Sequence, residues 1–259
     1  MTSNTVKAWV EKINIPTYPA PLGDLNPLFL ERRTNQGATG RIYPNAINDY
    51  VNTKKVDQTY EAVFIENEYI QLIILPQLGG RIFSAVDKTN GVDFFYRQHV
   101  IKPALIGLFG SWISGGAEFN WPQHHRPSTF MPVDFIIEAG SDGSQTVWLS
   151  EHEPTQRMKS MVGVCLYPSK TLVETKVRLY NRTPFPQTFL WWANAGVHIN
   201  EKYQVIFPPD VHYAVFHGKN PVTSYPIARG IFPSSIWASL RAVSRINSPI
   251  SSPISFRNV

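Results

Sequence analysis

Short runs in which apolar and polar residues alternate recur along most of the chain, with Gly, Pro and Asn at the breaks between them. Alternation with a period of two is typical of a β-strand that buries one face. No stretch of a dozen residues shows the 3.6-residue apolar period of an amphipathic helix. The predicted strand segments are 7–18, 59–68, 69–76, the two halves of 80–97, 133–140, 145–153, 158–168, 171–181, 187–199 and 203–209.

Two parts of this pattern predict hairpins. Segments 59–68 and 69–76 are joined by a short polar link, and segment 80–97 is divided at residues 88–91, Lys-Thr-Asn-Gly. An Asn-Gly pair between alternating runs is a strong signal for a tight turn. Parallel strands would need crossover helices, which the pattern lacks. The chain is therefore predicted to be all-β, an antiparallel sandwich or barrel.

The C-terminal segment, residues 229–259, differs from the rest because it is rich in Ser, Pro and Arg and contains the near-repeat SPISSPIS. It is either a disordered basic extension or a stretch that departs from the sequence needed to complete the sheet. The second interpretation is preferred because the sandwich is otherwise short of closing strands. We expect residues 1–228 to form the sandwich domain and residues 229–259 to be an atypical, poorly ordered tail.

Composition narrows the class of protein. The 259 residues are 43% apolar and 13% aromatic, with seven tryptophans, so a large core is available. One cysteine, Cys165, excludes an internal disulfide and a cysteine-built zinc site. No apolar stretch is long enough for a membrane span or a signal peptide. These features predict a cytoplasmic protein that makes no membrane contact.

The net charge of +5 does not indicate a nucleic-acid surface. Five of the 24 Lys and Arg residues follow Asp210, whereas all 19 Asp and Glu residues lie at or before it, so residues 1–210 carry 19 of each sign. Nucleic-acid binding requires basic residues clustered on one face of the fold. A neutral body with a basic tail predicts no nucleic-acid partner.

Residues 114–129, SGGAEFNWPQHHRPST, gather the side chains that proteins use to bind sugars. Aromatic faces stack on sugar rings, and planar polar groups bind pairs of hydroxyls. Strand alternation would place Glu118 and Asn120 on one face. The alternative is that Glu118 pairs with Arg126 or caps the loop while the histidines lie at the surface. The candidate binding residues are Trp112 and Trp121 for stacking, with Glu118, Asn120, His124, His125 and Arg126 for hydroxyls.

A second candidate segment is LWWANAGVHIN, residues 190–200. If it is extended, Trp192 and Asn194 share a face with His198. The alternative for His198 is a buried histidine bonded to backbone. Adjacent histidines are poorly placed to chelate one ion, and no metal motif is present, so neither a metal nor a cofactor is predicted.

Three segments together resemble a known family. They are LPQLGGRIFSAVDKTNGVDFFYR, GSWISGGAEFNWPQHH and LWWANAGVHINEKYQVIFPPDVHY. They resemble the galactose mutarotase-like superfamily and, more closely, the DUF5107 family, whose members often carry tetratricopeptide repeats. The resemblance implies an antiparallel β-supersandwich, here missing its last strands, with a carbohydrate cleft on one concave sheet. It also implies that Arg81 points into the cleft and that His198 is a general acid.

The resemblance and the residues leave three functions open. Aldose 1-epimerases carry a catalytic glutamate on a late strand, and no acid follows Asp210 in this chain. The first function is a glycoside hydrolase or epimerase, with Glu118 and His198 as catalytic residues. The second is a binding module that holds a sugar or oligosaccharide without chemistry, and the third is an interaction scaffold. We expect a carbohydrate ligand, and the sequence predicts no oligomeric state.

Overall fold

The structure is a computed structural model that describes residues 5–24, 44–46, 48, 50–106, 110–122, 125–202, 208–215 and 222–224. Within these ranges the chain is built from antiparallel strands, and its helices are the short 3-10 turns Pro76–Leu78 and Pro127–Phe130. Neither turn has the length or apolar character to cross a membrane. The predicted all-β fold is confirmed.

The described strands are numbered in chain order. They are β1 (Lys7–Thr17), β2 (Val56–Glu66), β3 (Ile70–Leu75), β4 (Arg81–Asp87), β5 (Pro103–Ile106), β6 (Gly110–Ile113), β7 (Ala117–Asn120), β8 (Asp134–Ala139), β9 (Gln145–Glu153), β10 (Met158–Leu166), β11 (Val173–Asn181), β12 (Trp192–Ala195), β13 (Tyr213–Val215) and β14 (Val222–Ser224). One sheet has the order β1-β2-β3-β4-β7-β12 and a second has the order β11-β10-β9-β8. The hairpins β5-β6 and β13-β14 are separate.

The two larger sheets pack face to face as a sandwich. Val63 and Leu72 of the six-stranded sheet and Val147 and Val162 of the four-stranded sheet belong to one buried cluster. Because side chains alternate along a strand, the other half of the side chains of the six-stranded sheet lies on its opposite face, here called the outer face. Around β2 this outer face is apolar and holds Phe64 in a separate buried cluster. Around β7 it carries polar residues instead.

Strand β7 lies between β4 and β12, and its position depends on the two glycines that precede it. Gly115 and Gly116 have φ angles of 88° and 64°, in the left-handed region that favours glycine. A Cβ on Gly116 would lie 2.2 Å from the carbonyl oxygen of Ile82, so only glycine allows this approach to β4. The Gly-Gly pair therefore places Glu118 on the outer face, next to both neighbouring strands.

Most of the predicted strands are present, with some differences in extent. The segment predicted as 187–199 forms a strand only over β12. The second half of 80–97 pairs only through the isolated bridges Val86–Asp93 and Arg97–Gly115. The β5-β6 hairpin was not predicted. Residues 203–207 of the segment 203–209, and the tail 229–259, lie outside the described residues.

The chain divides into two compact units, Met1–Val197 and His198–Val259. The first unit contains the sandwich and the β5-β6 hairpin. In the described part of the second unit, residues 213–215 pair with residues 222–224 as the β13-β14 hairpin.

Candidate functional site

The polar outer face of β7 and β12 forms the centre of the candidate site. Glu118 pairs in register with Asn194, and Asn120 pairs with Trp192, so these four side chains share one face. The alternate residues of both strands, including Phe119, pack into the sandwich core. The alternation predicted from the sequence is therefore present in both segments, and the two segments that it singled out are adjacent strands.

The carboxylate of Glu118 lies close to polar side chains from three strands and one loop. Its Oε1 accepts hydrogen bonds from Trp112 Nε1 at 3.2 Å and Asn194 Nδ2 at 3.3 Å. His125 Nδ1 lies 2.9 Å from the same oxygen, and Arg81 Nη2 lies 3.5 Å from Oε2. We call Arg81, Trp112, Glu118, Asn120, His125, Trp192 and Asn194 the Glu118 cluster.

The pairing of Glu118 differs from the alternative considered from the sequence. Its guanidinium partner is Arg81 on β4, not Arg126. Arg81 is held by donating from Nη1 to the carbonyl oxygens of Ile113, at 2.9 Å, and Gly115, at 3.2 Å. The resemblance implied that Arg81 points into a cleft, and its guanidinium does contact the carboxylate at the centre of the cluster.

The charges of the cluster keep Glu118 ionised. Burial raises the pKa of Glu118, but His125, Arg81 and the amide of Asn194 together lower that pKa below its ordinary value. Burial also lowers the pKa of Arg81 to about 10, against the opposing charge of Glu118. Both groups therefore remain charged near neutral pH. A carboxylate in this state can accept hydrogen bonds or a proton, but it is a poor general acid.

Two aromatic rings, those of Trp112 and His125, contact the carboxylate, and a third lies against His125. The imidazole of His125 lies edge-on to the indole of Trp192, with centroids 4.7 Å apart, and to that of Trp112 at 6.4 Å. The His125 side chain is 25% exposed, the two tryptophans are partly exposed, and Asn194 is exposed. The cluster thus has a buried polar floor and an aromatic and amide surface that solvent reaches.

Several polar atoms of the floor lack hydrogen-bond partners among the described residues. They are Arg81 Nε, Glu118 Oε2 and Asn120 Nδ2, in residues that are 2%, 4% and 0% exposed. A buried polar atom left unsatisfied costs about 1–3 kcal/mol, and in native proteins such atoms usually bind water or a ligand. The floor therefore has the capacity for three further donations, two from Asn120 Nδ2 and one from Arg81 Nε, and for a further acceptance at Glu118 Oε2. Among the described residues, no three His, Cys, Asp or Glu side chains group in a way that could hold a metal ion.

Two predicted binding residues lie in a different environment. Trp121 is 1% exposed and belongs to the sandwich core. The guanidinium carbon of Arg126 lies 3.9 Å from the Trp121 ring centroid, and its Nη1 lies 2.9 Å from Glu151 Oε1 on β9. We call Trp121, Arg126, Ser128 and Glu151 the Arg126 cluster. Trp121 faces the sandwich core, on the opposite side of β7 from Glu118, so the site proposed below excludes Trp121 and Arg126.

Two predicted histidines, His124 and His198, remain. His124 lies outside the described residues. His198 is the first residue of the second compact unit, and its side chain is exposed rather than buried. Its role as a general acid stays a prediction.

Sequence reasoning missed the groups that hold the site together. The carbonyl oxygens that fix Arg81 are backbone atoms, and the hairpin that carries Trp112 was not predicted. The partner of Arg126, Glu151, lies on a strand of the four-stranded sheet. The nearest signal in the sequence is the Gly-Gly pair at 115–116, because glycine permits a close backbone approach.

Fold and site together define an all-β sandwich domain with a buried carboxylate cluster on one outer face. Residues 38–237, more than half of the chain, match the family described as a domain of unknown function, DUF5107. The chain therefore belongs to the DUF5107 family.

A solved structure shares this fold. It is described as a TPR-domain containing protein from Parabacteroides distasonis ATCC 8503, with a TM-score of 0.65 and 25% sequence identity. The alignment covers 75% of the present chain and 32% of that protein. The chain thus spans about a third of the length of this relative.

Proposed function

We propose that this domain binds carbohydrate at the Glu118 cluster. The observation that carries the proposal is the ring of Trp112, His125 and Trp192 around one ionised carboxylate. Partly exposed indole rings offer faces for the C–H surface of a sugar. The exposed amide of Asn194 lies beside them to bind hydroxyls. The resemblance to mutarotase-like proteins supports the same class of ligand.

Catalysis is a second candidate function, favoured by the carboxylate–imidazole contact. Glu118 and His125 lie 2.9 Å apart, a separation at which a buried carboxylate can orient an imidazole for proton transfer. The lowered pKa of Glu118 suits a base or an orienting group and does not suit the acid of a glycosidase. An epimerase or hydrolase using this pair would lose turnover in Glu118→Gln while retaining part of its binding.

An assembly role is the other candidate. The solved relative is described as containing a TPR domain, and the present chain matches only 32% of that protein. TPR repeats stack into extended binding surfaces. A domain that serves only as a scaffold would bind no sugar, so a binding assay separates this role from the first proposal.

The test is a binding screen of the 259-residue chain against a glycan array, followed by calorimetric titration of the ligands found. We expect Trp192→Ala to weaken binding at least tenfold, because losing a stacking contact worth about 1.5 kcal/mol changes the dissociation constant by about that factor. Trp9→Ala is the matched control, since Trp9 stacks on Phe64 at the opposite edge of the same sheet. Absence of carbohydrate binding, or equal losses in both variants, would contradict the proposal.

A further inference from the structure

We infer that the Glu118 cluster selects uncharged sugars and rejects sugars that carry a phosphate or carboxylate. This inference rests on the proposed function and specifies its class of ligand. Arg81 and Arg126 would by residue type suggest an anionic ligand, because proteins most often use arginine to bind phosphate and carboxylate groups. The contacts of these arginines show whether their charges are available to a ligand.

The charge of Arg81 is already used inside the protein. Its Nη1 donates to Ile113 and Gly115, and its Nη2 faces the Glu118 carboxylate. The residue is 2% exposed. Both ends of the fork that would bind an anion are therefore occupied, and the atom left over, Nε, can give one hydrogen bond.

The guanidinium of Arg126 is also paired within the protein. Its Nε donates to the carbonyl oxygen of Phe119 at 2.8 Å, its Nη2 donates to that of Gly79, and its Nη1 pairs with Glu151. Arg97, whose backbone bridges to Gly115 near the cluster, pairs with Asp93 at 3.2 Å. The guanidinium groups of Arg81 and Arg126 are therefore both engaged within the protein, and the more exposed Arg97 makes its ion pair through Nε.

The groups that remain match a hydroxyl. Glu118 Oε2 can accept one hydrogen bond, Asn120 Nδ2 can donate two and Arg81 Nε can donate one. A hydroxyl group both donates and accepts, so it satisfies a carboxylate and an amide at the same time. A phosphate or carboxylate cannot donate to Glu118, and its charge would be repelled by that ionised side chain. The ligand that this arrangement favours is a neutral polyol or sugar.

The experiment compares glucose, galactose and mannose with their 6-phosphates and uronic acids, by calorimetric titration of the 259-residue chain. The titrations are made at pH 8. We expect the neutral form of whichever sugar binds to bind at least tenfold more tightly than either anionic form. We expect Glu118→Gln to reduce that ratio at least threefold, because the repelling charge is removed.

Glu61→Gln is the control for the loss of one negative charge, since Glu61 is an exposed carboxylate on β2 of the same sheet. It should leave the ratio unchanged. An anionic sugar that binds the native chain as tightly as its neutral form would overturn this inference and leave sugar binding intact. No binding by any of the nine probes, or by the glycan array, would overturn the proposed function itself. Because the native chain gives the main comparison, the test does not depend on the folding of the Gln variant.

Discussion

The Glu118 cluster and the Arg126 cluster both join a buried arginine to a glutamate, and both involve the segment that begins with β7. In the Arg126 cluster every group of the guanidinium has a partner, and the arginine also lies over the Trp121 ring. In the Glu118 cluster Arg81 Nε and Glu118 Oε2 have no hydrogen-bond partner among the described residues, although Arg81 Nη2 lies 3.5 Å from Oε2, and partly exposed aromatic rings lie beside them. The Arg126–Glu151 pair joins the two sheets of the sandwich, whereas the Arg81–Glu118 pair keeps polar atoms available for a ligand.

The physical reason for the difference is the location of each pair. Arg126 bridges the end of β7 to β9, so its cluster lies between the two sheets and is sealed by the core. Glu118 lies on the outer face of the six-stranded sheet, away from the four-stranded sheet, where Trp112 of the β5-β6 hairpin contacts it. Buried charges are retained at such open positions when they serve binding or specificity rather than stability.

The largest expected effect is on the closed cluster. Arg126→Met should lower the free energy of unfolding by about 3–5 kcal/mol, because Glu151 loses its partner and three further acceptors lose a donor. Urea denaturation followed by circular dichroism measures this change. Arg97→Met is the matched control, since its ion pair is 37% exposed on the arginine side and should cost about 1 kcal/mol or less. Equal losses in the two variants would contradict the role assigned to Arg126.

A smaller effect, with a characteristic pH dependence, is expected at the open cluster. Because folding lowers the pKa of Glu118, its ionisation stabilises the folded protein above the unfolded-state pKa of about 4.3. That contribution is lost as the pH falls through the lowered folded-state pKa. Glu118→Gln should therefore cost about 1–2 kcal/mol at pH 7, less than the Arg126 change because solvent reaches this cluster.

The measurement is urea denaturation of Glu118→Gln and the native chain between pH 7 and pH 3. The stability difference between the two should shrink as the pH falls below about 4.3. Glu61→Gln, at an exposed position, controls for the general effect of acid on the protein. A difference that stays constant with pH would show that the Glu118 carboxylate is not selectively stabilised by its neighbours.

The smallest expected effect on stability comes from Asn194. Its side chain is exposed and makes a long hydrogen bond of 3.3 Å to Glu118, so Asn194→Ala should change the free energy of unfolding by less than about 0.5 kcal/mol. The same variant should weaken sugar binding severalfold, because the amide faces the proposed ligand. If Asn194→Ala lowers the free energy of unfolding but leaves sugar binding unchanged, Asn194 serves stability rather than binding.

The sequence predicted the parts of this molecule that depend on local alternation. The strand class, the facing of Glu118 and Asn120, and the facing of Trp192 and Asn194 all follow from a period of two. The proximity of the two segments did not follow from the pattern, because it is set by β12 adding to β7 across many intervening residues. The resemblance to a known family supplied the expectation that they meet.

What could not be predicted is which charge pairs with which. From the sequence alone, either Arg81 or Arg126 could pair with Glu118. In the structure Arg81 does so, and the side chain of Arg126 lies on the opposite side of the sheet. That choice depends on carbonyl oxygens, such as that of Gly79, whose positions exist only once the backbone is folded. Trp121 was predicted as a stacking residue because its residue type fits a sugar site. Its position, two residues after Phe119, instead directs its side chain into the core.

The central claim is that the open cluster is a site for a neutral sugar, and a crystal structure with such a sugar bound tests it most directly. The account predicts the sugar ring against Trp192, with a hydroxyl oxygen about 3 Å from a polar atom of Glu118, Asn120 or Asn194. A sugar bound elsewhere on the protein, with the cluster unchanged, would contradict it.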